Sequence, residues 1–127
     1  MIFDYKSPTD FKYAGMFAGQ NQWLIGHYQG NWNNRVAQVD WDDLGRAIEI
    51  GLSYSLEVQL NGNDVRLIAD GETVLSATFD SDVTGGSVGL ATQNGSTAFN
   101  NFLVEATPTD PLLVDALFSA WGESSLV

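Results

Sequence analysis

Tyr54-Ser-Leu-Glu-Val-Gln-Leu60, Asn61-Gly62, Val65-Arg-Leu-Ile-Ala69, Asp70-Gly71 and Thr73-Val-Leu-Ser-Ala-Thr-Phe79 follow one another in the middle of this chain. Each run alternates apolar and polar residues, the period of a strand with one buried face. Asn-Gly and Asp-Gly between such runs are the strongest short-range hairpin signals, because both residues tolerate the positive φ of tight turns. Further on, Gly85-Gly86 leads into Val88-Gly-Leu90, and Ala98-Phe-Asn-Asn-Phe-Leu-Val104 reads as another strand. The stretch predicts an antiparallel, all-β architecture.

Working toward the N-terminus, the pattern continues less cleanly. Ile2-Phe-Asp-Tyr5 reads as a strand, broken by the turn-forming Ser7-Pro8-Thr9-Asp10. In Phe11–Phe17, Phe11, Tyr13, Gly15 and Phe17 alternate with Lys12, Ala14 and Met16. In the next strand, Trp23, Ile25 and His27 face one way while Leu24, Gly26 and Tyr28 face the other. Gln29-Gly-Asn-Trp-Asn-Asn34 is a polar loop around Trp32, and residues 35–41 suit a strand. Residues 42–46 break the pattern, and residues 47–52 suit either a short strand or an irregular connection.

The C-terminal end reads differently. After Thr107-Pro-Thr-Asp110, a linker-like break, come Leu112, Leu113, Val114, Ala116, Leu117, Phe118, Ala120 and Trp121. Asp110 suits a helix N-cap, Pro111 the first helical position and Gly122 the end, so a short α-helix is expected over residues 111–121. The expected organisation is a sandwich over 1–106 and a linker with helix over 107–127. Met1 opens directly onto a strand, with no basic-then-apolar leader, so the chain is expected to be an N-terminally truncated piece of something longer.

Composition narrows the function. With 127 residues the chain is long enough for one two-layer domain, and 44% hydrophobic residues argue against disorder. The absence of cysteine removes disulfides and thiolate metal sites. A formal charge of −11, with five Lys and Arg, argues against nucleic acid and anionic membrane surfaces as partners. No apolar run approaches the roughly 18–20 residues of a membrane span, so membrane insertion is not expected.

Three phrases carry a resemblance: Phe3-Asp-Tyr-Lys-Ser-Pro-Thr-Asp-Phe-Lys-Tyr-Ala-Gly15, Gln22-Trp-Leu-Ile-Gly-His-Tyr28, and Gly86-Ser-Val-Gly-Leu-Ala-Thr92 with Ala98-Phe-Asn-Asn-Phe102. Together they resemble the concanavalin A-like (laminin-G-like) jellyroll domains of bacterial extracellular and adhesin-type proteins, over roughly residues 1–106. The resemblance implies an antiparallel jellyroll β-sandwich, an extracellular or cell-surface location in a bacterium, and a lectin-like role in carbohydrate binding or adhesion. Such domains carry further strands before the phrase matching Phe3-Asp-Tyr5, and here those are missing.

Catalytic chemistry is not legible. Glycoside hydrolysis needs two carboxylates flanking one bond, whereas Glu49, Glu57, Glu72, Glu105 and Glu123 are scattered singly. No serine stands in a nucleophile elbow, and one histidine cannot build a multi-histidine metal centre. The chain is therefore read as a non-enzyme. The alternatives are an accessory fragment of a glycan-active hydrolase whose catalytic residues lie elsewhere, and a structural spacer without a ligand.

Candidate ligand contacts are Trp32, His27, Tyr28, Asn31 and Asn33. Trp32, among turn-forming asparagines, is expected exposed at a loop tip, where its face can stack on a sugar ring. His27 is read either as a hydrogen-bonding ligand contact or as a structural histidine packed beside Trp23. Asp80 and Asp82 could hold calcium, a hard cation that takes oxygen ligands. Asp40, Asp42 and Asp43 could do the same. Neither cluster has a defined calcium-loop spacing, and a solvated acidic surface is the other reading. No cofactor beyond possible calcium is expected. The partners expected are a glycan and a second copy of the chain, joined through the C-terminal helix or an open strand edge.

Overall fold

The computed structural model describes residues 1–93, 96–105, 112–121 and 125–126. Twelve strands lie within them: β1 (Ile2–Ser7), β2 (Asp10–Phe17), β3 (Gln22–Tyr28), β4 (Arg35–Asp40), β5 (Ser53–Asn61), β6 (Asp64–Ala69), β7 (Glu72–Thr78), β8 (Ser87–Gly89), β9 (Thr92–Gln93), β10 (Ser96–Glu105), β11 (Leu112–Trp121) and β12 (Ser125–Leu126). One sheet runs β4-β3-β2-β1-β8, with β12 paired to β2 and β9; the other runs β10-β11-β5-β6-β7. Every described pairing is antiparallel. The molecule is an all-β sandwich of two sheets.

The hairpins form where turn chemistry predicted them, with one shift. Asp70 and Gly71 both have positive φ and sit between the paired Ala69 and Glu72, the signature of a type I′ turn. At the other hairpin Asn61 pairs with Asp64, so the central residues are Gly62 and Asn63 rather than Asn61 and Gly62. Only Gly62 has positive φ there, at 61°. This is the II′ pattern, in which glycine takes the first central position.

Alternation decides the core. Tyr54, Leu56, Val58 and Leu60 of β5 are buried while their alternate neighbours are partly or fully exposed. They pack with Val65, Leu67 and Ala69 of β6 against Ala14, Met16, Trp23 and Ile25 of the first sheet. Each large apolar side chain buried here is worth about 1.5–3 kcal/mol. Trp41, in a 3-10 turn over Trp41–Leu44, joins the same core. Residues 46–52 form an irregular connection.

The expected C-terminal helix is corrected. Leu112–Trp121 is a ten-residue strand inserted between β10 and β5. Leu112, Val114, Ala116 and Phe118 stand in register with Leu60, Val58, Leu56 and Tyr54. A continuous apolar run satisfies a helical and an extended period equally well, so its pattern does not choose. The backbone edge of β5 chooses. Without β11 its ladder groups would lack partners beside a buried face, and pairing outweighs local helix signals. Asp110, Pro111 and Gly122, the residues that suggested helix ends, lie outside the described residues.

Candidate functional site: an aromatic outer face

The ladder between β2 and β3 places two sets of side chains on opposite faces of their sheet. Met16 opposite Trp23 and Ala14 opposite Ile25 point into the sandwich. Phe11 opposite Tyr28 and Tyr13 opposite Gly26 therefore point outward, as do Leu24 and Phe17. The outer face of an antiparallel sandwich is ordinarily polar. Here it carries a second apolar cluster in which Tyr13 and Leu24 are fully buried.

Trp32 completes this cluster, and its expected position is corrected. It does lie in the loop between β3 and β4, but it is half-buried rather than exposed at a tip. Its ring centroid lies 4.6 Å from Tyr28, 5.0 Å from Tyr13, 5.9 Å from Phe11 and 6.4 Å from Phe17. The four interplanar angles run from 54° to 74°, so the indole lies across the row of rings rather than within it. Aromatic pairs of this kind contribute roughly 0.5–1.5 kcal/mol each beyond burial. That gain folds the loop back on the sheet, and the polarity of its asparagines hid it.

Local hydrogen bonds fix the loop. Asn31 Oδ1 accepts from the Asn33 amide, the His27 amide donates to the Asn34 carbonyl, and the Tyr13 hydroxyl donates to the Trp32 carbonyl at 3.3 Å. Burial pushes the Tyr13 phenol above its ordinary pKa, which keeps it a donor. Tyr13 needs Gly26 beneath it. A Cβ at residue 26 would lie 2.4 Å from the Tyr13 hydroxyl and 2.6 Å from the Asn34 carbonyl oxygen. Asn31 and Asn33 are exposed on the rim.

Alongside Trp32 runs a stack of three near-parallel rings. Tyr5, Phe11 and Tyr28 come from three adjacent strands, with centroids 6.0 and 4.7 Å apart and interplanar angles of 19° and 13°. Phe11 is the covered centre, and Tyr5 is the exposed end. Arg35 borders the cluster, its guanidinium 5.4 Å from the Phe17 ring.

Of the five expected contacts, Trp32, Tyr28, Asn31 and Asn33 gather on this face. His27 does not. It points to the other side of β3, where Nε2 lies 2.6 Å from Asp10 Oδ1. The carboxylate can only accept, so Nε2 carries the donated proton. That bond holds the Asp10 carboxyl below its ordinary pKa. Beside the pair, Lys12 forms a buried ion pair with Asp4 at 2.5 Å. Lys12 and His27 line a 360 Å³ cavity with Asn34, Val36, Phe79 and Asp80.

The calcium candidates are largely engaged within the chain. Asp82 Oδ1 accepts from the Thr84 amide and hydroxyl, which lowers its pKa. Asp40 accepts from the Asp42 amide, and Asp42 from Asn21 Nδ2. Among the described residues no three His, Cys, Asp or Glu side chains gather where a metal ion could be held. Asn21 sits in a left-handed turn, with a φ of 56°. Its side chain also donates to the Arg46 carbonyl and accepts from the Ile48 amide, tying down the irregular connection.

Comparison with known proteins finds no matching family model, no matching curated protein and no matching solved structure.

Proposed function

We propose that this chain is a non-catalytic carbohydrate-binding or adhesion module, a concanavalin A-like jellyroll from a bacterial extracellular protein, which holds its ligand on the aromatic outer face around Trp32. The observation that carries this reading is the placement of Phe11, Tyr13, Phe17, Tyr28 and Trp32 on the solvent side of a sheet. The inner faces already build the main core, so an aromatic layer of this size on the other side of the sheet, with Tyr28 and Trp32 only half-buried, offers rings to a ligand as well as to folding. Trp32 stays half-buried among the other rings, and its accessible part is the surface on which a sugar ring would stack. Exposed Asn31 and Asn33 supply amides for hydroxyl groups at the rim.

The test is a glycan array followed by titration of whatever binds. Trp32→Ala is expected to weaken that binding by about 1–3 kcal/mol, the scale of a lost aromatic anchor. Unchanged affinity in this variant would remove Trp32 from the site.

A further inference from the structure

A second polar site lies on the other sheet. Buried Leu60, Val65 and Leu67 place the intervening residues of β5 and β6 on its outer face, where they form two cross-strand rows. Gln59, Arg66 and Ser76 stand in register in one row, and Asn61, Asp64 and Thr78 in the next. Three strands spread each row over about 10 Å, the scale of one or two sugar rings. Between them lies a groove of 560 Å³ lined by these six residues together with Val65 and Ala77.

Arg66 distinguishes this groove. Among the other basic residues, Lys12 is bound by Asp4, Arg46 by Glu72, and Arg35 by Gln22 and Gln38, while Lys6, exposed on β1, lies outside the groove's lining. Arg66 is exposed and has no ion-pair partner among the described residues. Its acidic neighbours bond to other side chains and neither forms an ion pair with it. Asp64 Oδ1 accepts from the Thr78 hydroxyl at 2.8 Å, and Glu57 Oε1 accepts from Gln59 Nε2 at 3.0 Å. The guanidinium fork is thus left for an acceptor from outside, and a planar carboxylate matches it with two parallel hydrogen bonds.

The remaining groups limit what else the ligand carries. Amides and hydroxyls at both rows suit a polyol. A net charge of −11 repels a polyanion, while a single carboxylate meets the guanidinium at short range. We propose that this groove binds a sugar acid, a saccharide unit bearing one carboxylate, with Arg66 on the carboxylate and Gln59, Asn61 and Ser76 on the hydroxyls. The site is on the sheet opposite Trp32 and does not depend on the aromatic face binding anything.

The test is an amide-resolved NMR titration of the intact chain with methyl β-glucuronide and with methyl β-glucoside, which differ only in carboxylate against hydroxymethyl. The glucuronide is expected to shift the signals of residues 59–66 and 76–78 and to bind roughly tenfold more tightly than the glucoside, the low end for a solvent-exposed bidentate contact. Arg66→Gln should abolish that preference, and Arg66→Lys should keep part of it. Equal affinities for the two glycosides, a preference that survives Arg66→Gln, or no response in the groove would each overturn the proposal.

Discussion

Asp10 and Lys12 stand two residues apart on β2, so the pleat sends both toward the same rim of the sandwich. Lys12 reaches Asp4 and lies 5.9 Å from the centre of the Phe79 ring, while Asp10 reaches His27. Each polar side chain at this rim has a specific partner, which is what allows them near a core. The His27 bond depresses the Asp10 pKa, so the folded state binds that proton less readily than the unfolded chain. Its contribution to stability is therefore complete above the ordinary carboxylate range and disappears as pH falls through the folded value. Thermal melts of the native chain and of Asp10→Asn should differ at neutral pH, begin to converge as pH falls below about 4, and meet only in stronger acid. A difference that persists unchanged into strong acid would show that Asp10 acts by packing instead.

At the scale of elements, β11 carries the sharpest prediction. Among the described residues it supplies the only sheet partner of β10 and covers one edge of β5. A chain ending at Thr107 should lose cooperative melting rather than shed an appendage, and the far-UV circular dichroism of the intact chain should lack a helical minimum. The strands from 54 to 79 were legible because each turn announced itself locally through residues suited to positive φ. β11 was not, because its fate depends on the edge of β5, which pairs Leu112 with Leu60 and Ser119 with Ser53, far earlier in the chain. The same division runs through the site. Alternation sorted Phe11, Tyr13 and Phe17 from Lys12, Ala14 and Met16, but could not tell which set faced inward. Lys12 argues against its own face being the inner one until Asp4, bent toward it by a left-handed φ of 46°, is seen to neutralise it. Trp32 looked exposed because its sequence neighbours are polar, whereas its real neighbours come from two other segments of chain.

For the molecule as a whole, sheet edges and charge oppose each other. With no C-terminal helix to cross between copies, the homo-oligomer proposed for this chain rests on an open strand edge. β10 is the longest candidate: ten residues with no proline or lysine and a single acid, Glu105, to discourage pairing. Two copies at −11 each repel one another, and the Debye length of about 8 Å at physiological ionic strength screens most of that repulsion. Light scattering is expected to report a dimer whose population rises with added salt. A monomer at high micromolar concentration in both low and high salt would sink the idea.

The burial of β3 on both faces gives the fold a buried middle layer. Trp23 and Ile25 are covered by the inner core and Leu24 by the outer rings, while β2 and β4 hold its two edges. Water reaches these backbone amides from neither face nor edge while the sandwich is intact. We expect their hydrogens to be among the slowest to exchange, with lifetimes at residues 23–25 approaching those set by global opening. A ligand on the outer rings would lengthen those lifetimes without touching the strand itself.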